Sequence, residues 1–165
     1  MLLIFFDTEF TELSNNAKFI SIGLIDQTGE RSFYAELADT WNEGDASEFV
    51  TQEVLPKLGE KQARITLDEL RRRLTDWLGS FPGIVQLATD SVSWDWIWIF
   101  DIFGVTGGKT WPKNLAQRPH PLPYDSAFAA AVERIFATTQ FRRHHALDDA
   151  IVNRLAWREL RAIGN

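Results

Sequence analysis

The sequence contains no cysteine. Disulfides, thiolate-bound zinc and a cysteine nucleophile are therefore all excluded. Positive charge is also in short supply: 17 lysines and arginines face 23 aspartates and glutamates, a formal net charge of −6. A protein that coats long duplexes by bulk electrostatics needs a strongly basic face, so that class is disfavoured. Phosphate chemistry is still open to an acidic chain when bound cations supply the positive charge. No apolar run approaches the roughly 18–20 residues that span a bilayer. The opening Met1-Leu2-Leu3-Ile4-Phe5-Phe6 runs straight into Asp7, with no basic segment before it and no cleavage site after it. No secretory signal or membrane partner is expected, and a cytoplasmic location fits.

Apolar material is plentiful. Of 165 residues, 45% are hydrophobic and 13% aromatic, with seven tryptophans. That suits one domain over residues 1–165 with a single well-buried core. Large rings carry the most apolar burial per residue, so most of the tryptophans belong to core or cleft wall.

Periodicity sketches the elements. Leu2 to Phe6 reads as a short buried strand and Phe19 to Asp26 as a second. The turn signal Gln27-Thr28-Gly29-Glu30 joins the second to a third, Arg31 to Leu37, as an antiparallel hairpin. Ser47 to Leu58 reads as a short helix. Thr66 and Glu69 have capping-box spacing, and Leu67, Leu70, Leu74, Trp77 and Leu78 recur at helical intervals down to Gly79. Ile84 to Ala88 is a fourth strand. Trp94 to Phe103 is apolar at nearly every position, so strand and helix both remain open there. Gly104 to Pro123 reads as a long loop, Ala127 to Thr138 as a helix capped by Asp125-Ser126, and Ala146 to Ala162 as the last helix. The order is that of an α/β or α+β fold, helices flanking a mixed sheet.

Three places carry the residues for chemistry. In Phe5-Phe6-Asp7-Thr8-Glu9-Phe10, a buried strand ends on two carboxylates spaced two apart, which project to one side of the sheet. Carboxylate oxygens are hard ligands suited to Mg²⁺ or Mn²⁺. A strand end that simply reaches solvent would look the same. In Ser93-Trp94-Asp95-Trp96, a carboxylate lies between tryptophans, and a buried charge is expensive unless paired or metal-bound. On context Asp95 is preferred to Asp90 and Asp101. In His144-His145-Ala146-Leu147-Asp148-Asp149, imidazole offers a general base near neutral pH. A carboxylate in the first turn of the following helix would share its cleft, although acidic residues also favour helix N-termini on electrostatic grounds alone.

Asp7-x-Glu9, then Trp94-Asp95, then His144-x-x-x-x-Asp149 resemble, in order, the exonuclease motifs of the DEDDh branch of the DEDD superfamily. Ser91 stands where that family often carries Asn. Asp7-Thr8-Glu9-Phe10 with Leu13, Ile20-Ser21-Ile22-Gly23 and Val54-Leu55-Pro56-Lys57-Leu58 are similar to the compact bacterial and phage 3′–5′ exoribonuclease group typified by a small mycobacterial enzyme. The resemblance covers almost the whole chain. It implies a single exonuclease domain with a ribonuclease H-like fold: a mixed central sheet with an N-terminal antiparallel meander, flanked by helices. It implies two Mg²⁺ or Mn²⁺ ions on Asp7, Glu9, Asp95 and Asp149, with His144 as general base. The implied partners are single-stranded 3′ ends, RNA favoured over DNA, and the implied product is nucleoside 5′-monophosphate. A homodimer is common among such enzymes. The rival register, His145 with Asp149 on one helical face, suits a single transition metal instead. Thr8, Phe10, Leu13 and Arg143 are candidate substrate contacts, with Arg142 beside them; aromatic stacking on a terminal base is worth about 1–3 kcal/mol. A phosphodiesterase for very short oligonucleotides, a non-catalytic nucleic-acid binder and an interaction module presenting Trp94–Phe103 are the alternatives.

Overall fold

The computed structural model describes residues 1–59, 61–104, 110–123 and 125–163. Strands β1 (Leu2–Phe10), β2 (Phe19–Asp26) and β3 (Ser32–Leu37) form the antiparallel meander. They are followed by α1 (Glu48–Glu53), β4 (Arg64–Ile65), α2 (Leu67–Gly79), β5 (Val85–Thr89), α3 (Val92–Phe103), β6 (His120–Pro121), α4 (Ser126–Thr138) and α5 (Ala146–Ile163). The six strands make one mixed sheet in the order β4-β3-β2-β1-β5-β6, with β5 parallel to β1. The fold is α/β, a mixed central sheet flanked by helices. Among the described residues no helix is long and apolar enough to cross a membrane.

Strand alternation explains the two layers. On β1, Ile4 and Phe6 enter a cluster with Leu70, Leu74 and Leu78 of α2 and Ile99, Ile102 and Phe103 of α3. Leu3 and Phe5 face the other way, into a cluster with Phe128 and Ile135 of α4 and Val152, Ala156 and Trp157 of α5. The central strand β2 is buried along its whole length. Its hairpin to β3 is closed by Asp26, whose Oδ1 accepts from the backbone N–H groups of Gly29, Glu30 and Arg31 at 2.8, 3.0 and 3.1 Å. Gly29 has φ +85°, where a Cβ is disfavoured.

Several boundaries depart from the sequence expectations. The first strand does not end at the carboxylates but continues through them to Phe10, because Asp7, Thr8 and Glu9 pair with Gly23, Ile22 and Ser21 of β2. The helix expected over 47–58 is a six-residue helix followed by a 3-10 turn at Leu55–Lys57, where Pro56 cannot continue α-helical hydrogen bonding. Trp94 to Phe103 is helical. Two-residue strands β4 and β6 were not expected; each is too short to carry a periodic signal. The expected loop over 104–123 thus contains β6, and its residues 105–109 lie outside the described residues. Thr66 caps α2 through its Oγ on the N–H of Glu69, 3.2 Å, but the Glu69 carboxylate turns to Arg72 and Arg73 rather than closing the box.

Candidate active site

The register of β1 creates the site. Asp7 and Glu9 alternate with Thr8, so both carboxylates project to the α5 face while Thr8 points towards α3. Parallel pairing of Phe5 with Ala88 brings the carboxyl ends of β1 and β5 together, so Asp7 and Asp90 each lie two residues further on. Crevices beyond the carboxyl ends of strands are where α/β sheets usually hold ligands. Asp95, in the first turn of α3, is 1% exposed. Thr8 Oγ1 donates to its Oδ1 at 2.5 Å and Thr89 Oγ1 donates to its Oδ2, so both carboxylate oxygens are oriented.

The last ligand candidate arrives through α5. Gly23 pairs with Asp7 and shares its face of the sheet. A Cβ at Gly23 would collide with the backbone of Ala146 and Leu147. Its absence lets the first turn of α5 lie directly on β2, and Asp149 thereby reaches Asp7 and Glu9. The N–H of His145 donates to Asp149 Oδ2 at 2.9 Å and fixes that side chain. Two groups of carboxylates result, Asp7–Glu9–Asp149 and Asp7–Asp90–Asp95. Within each, ligand oxygens lie within 4.8 Å of one another, and Asp7 belongs to both.

Electrostatics follow from burial. Desolvation and then the neighbouring carboxylates Asp95, Asp149 and Glu9 push Asp7 well above the usual carboxylate range. Burial, reinforced by Asp149 and Asp95, raises Glu9 to about 8 against only a small opposing pull from Lys57. Burial raises Asp95 to about 7 although Thr8 and Thr89 stabilise its charge, and raises Asp149 to about 7 although the His145 N–H opposes it. Negative charge is crowded here beyond what the nearby cations compensate. All the donors are hard oxygens, so the residues fit divalent Mg²⁺ or Mn²⁺. The shared Asp7 fits a pair of them.

The two histidines have separate fates. His144 lines the cleft, with φ +60°, a left-handed conformation uncommon for a residue with a Cβ. Its ring stands edge-on to Phe49, at 5.0 Å between centroids. Burial, then Lys57 and Arg143, lower its pKa below the ordinary 6.5, which favours the neutral imidazole. His145 is 1% exposed and packs away from the cleft, stacked on Tyr34 at 4.6 Å. Its Nδ1 accepts from the N–H of Asp148 at 3.4 Å. Asp148 in turn takes two bonds from Arg142, at 2.8 Å each. Burial opposes its charge, but the adjacent His145 and the hydrogen bonds from Arg142 prevail and hold Asp148 well below the usual range. Adjacent aspartates are thus driven in opposite directions, Asp148 as a structural anion and Asp149 into the cleft.

The cleft has a volume of about 710 Å³. Besides the carboxylates and His144, it is walled by Thr8, Phe10, Leu13, Phe49 and Arg143. Leu13 and Phe49 are 73% and 53% exposed, apolar side chains held open at its mouth. Phe10 is both wall and core: it stacks on Trp94 at 5.9 Å and leans on Trp98 at 6.0 Å. The hydroxyl of Thr8 is committed to Asp95. Arg142 is tied to Asp148 and His145, whereas Arg143 pairs with Glu133 at 2.9 Å on the cleft edge. Asp90 and Phe49 are among the cleft residues that sequence reasoning passed over. Asp90 ranked below Asp95 because only the parallel β1–β5 register brings it to Asp7; its carboxylate accepts from Asn153 Nδ2 at 2.8 Å. Phe49 is brought to the cleft by α1, whose placement no local pattern reveals.

The fold and site together define an α/β protein with an acidic cleft where β1 carries Asp7 and Glu9 beyond the end of its parallel neighbour β5. No protein-family model and no curated protein matches the chain in sequence. Among solved structures it is similar to the Neurospora crassa Pan2 catalytic unit, described as a protease and nuclease domain, at 14% identity and a TM-score of 0.48. The match covers 99% of this chain and 28% of that one, so the chain spans little more than a quarter of the larger protein.

Proposed function

We propose that this chain is a metal-dependent 3′–5′ exonuclease of the DEDDh type, on a ribonuclease H-like fold, that releases nucleoside 5′-monophosphates from single-stranded ends. The observation that carries the reading is the pair of carboxylate groups sharing Asp7, with His144 in the same cleft. Asp7, Glu9 and Asp149 would hold one Mg²⁺ or Mn²⁺ ion, and Asp7, Asp90 and Asp95 the other. Such ions acidify the attacking water and neutralise charge on the phosphate and the departing oxygen. His144 accepts the proton of that water as the water oxygen bonds to phosphorus. The bond from phosphorus to the 3′ oxygen of the preceding nucleotide breaks, and that oxygen leaves with a proton from solvent. The mobile proton thus ends on His144 and passes to bulk water between turnovers. Leu13, Phe10 and Phe49 offer apolar surface to the terminal base, and Arg143 offers charge to a phosphate oxygen.

With Mn²⁺ or Mg²⁺, purified protein should release mononucleotides from a single-stranded 3′ end, RNA more readily than DNA, and EDTA should stop it. His144→Asn keeps a residue tolerant of the left-handed backbone. It should fold normally yet lose roughly 10²–10⁴ in kcat. Asp7→Ala removes the ligand common to both groups and should abolish turnover. Undiminished turnover by Asp7→Ala would sink the assignment.

A further inference from the structure

A second cavity, of about 440 Å³, opens beside α4 and shares Asp90 and Arg143 with the metal cleft. The two spaces are therefore neighbours across those side chains. Its size falls in the range of small-molecule sites, about 300–1,000 Å³. Phe128, Ala129 and Val132 give it an apolar wall. Asp125 and Glu133 stand at its polar side, and Glu133 already holds Arg143.

An exonuclease must place a nucleotide on each side of the phosphorus it attacks. Phe10, Leu13 and Phe49, in the same cleft as the carboxylates, are the apolar surfaces suited to the terminal base. Asp90 and Arg143 line both that cleft and the cavity at α4, so the two spaces adjoin there. We propose that this cavity is the subsite for the nucleoside on the 5′ side of the scissile bond. The inference rests on the exonuclease reading above. Carboxylates at Asp125 and Glu133 repel phosphate, so what the cavity takes is the uncharged sugar and base. The apolar wall receives the base, and Arg143, at the junction, sits where the connecting phosphate crosses.

Two substrates test this. Thymidine 5′-monophosphate p-nitrophenyl ester carries the terminal nucleotide and the reacting phosphorus but no nucleoside on the 5′ side. A single-stranded tetranucleotide carries both. Ala129 is exposed on α4, so Ala129→Trp fills the cavity without entering the core. It should lower kcat/KM for the tetranucleotide roughly ten- to a hundredfold, mostly through KM, and affect Mn²⁺-dependent hydrolysis of the ester, which has only a nitrophenyl ring on that side, far less. Ala129→Ser should behave as wild type on both. Ala129→Leu, a good helix former, carries the same comparison with less bulk should the tryptophan disturb α4. Equal tetranucleotide turnover in wild type and both bulky variants overturns the subsite. So does a bulky variant that still binds Mn²⁺ yet loses ester hydrolysis more than tetranucleotide turnover, because the terminal nucleotide would then occupy this cavity. If wild-type protein with Mn²⁺ cleaves neither substrate, the exonuclease reading itself falls, and the subsite with it.

Discussion

At the scale of single residues, the site is built at the expense of the metal-free fold. Glu9, Asp95 and Asp149 have folded values of about 8, 7 and 7, against ordinary values of 4.5 and 3.8, and Asp7 is raised with them. These groups titrate as a coupled set. A group raised on folding contributes its stability fully below the unfolded value and loses it as pH rises through the folded one. The metal-free protein should therefore lose stability between about pH 4 and pH 8, read as a falling Tm in EDTA. Asp7→Asn removes one of the repelling charges. It should raise the Tm at pH 8 by a few degrees, on the order of 1–2 kcal/mol, while removing activity. A metal-free Tm flat across that window, or Asp7→Asn less stable than wild type at pH 8, would contradict the electrostatic account.

At the scale of elements, the decisive contact is α5 on β2. Gly23 has no side chain to offer the cleft, yet it sets how closely the helix approaches Asp7. Gly23→Ala should push the first turn of α5 off the sheet and separate Asp149 from Asp7 and Glu9. None of the carboxylates of the Asp7–Asp90–Asp95 group lies on α5, which reaches it only through Asn153 on Asp90, so Mn²⁺ titration of Gly23→Ala should lose one binding event and keep the other, weakened. Ile135→Ala weakens the α4–α5 packing, at a cost of roughly 2–5 kcal/mol, but leaves both groups intact. It should therefore retain two Mn²⁺ sites, and one lost in both variants would show that general destabilisation is responsible. The same scale accounts for α3. Its Trp96, Trp98, Ile99, Ile102 and Phe103 are buried and Trp94, Ile97 and Phe100 exposed, so an almost wholly apolar sequence conceals a helix with two faces. Periodicity cannot resolve such a segment, because the solvent face is not marked by polar residues.

At the scale of the molecule, metal binding at the proposed sites would be coupled to folding. Ions that bind only the folded chain stabilise it by mass action, about 2.7 kcal/mol per site at a hundredfold excess over Kd. For a domain of this size that is a Tm rise of roughly 5–10 °C. Mn²⁺ should produce such a rise, EDTA should reverse it, and the rise should grow with pH up to about 8 as the carboxylates lose their protons. Differential scanning fluorimetry across pH would measure it, and a Tm indifferent to Mn²⁺ would remove the metal sites.

The sequence alone determined what local patterning can carry. The meander, α2, α4 and α5 were legible because alternation and helical periodicity are properties of neighbouring residues. So was the common face of Asp7 and Glu9, which follows from a strand's period of two. Asp95, Asp149 and His144 were proposed from their surroundings and from a family pattern. The structure gathers them into one cleft, because β5 lies parallel to β1 and α5 rests on Gly23. The separate fates of the paired histidines belong to the tertiary structure too. His144 turns into the cleft through a left-handed backbone, and His145 is drawn onto Tyr34 and Asp148. Asp90 enters only by the β1–β5 register and Phe49 only by the docking of α1. These last assignments depend on contacts between residues far apart in the chain, and sequence spacing holds no record of such distances.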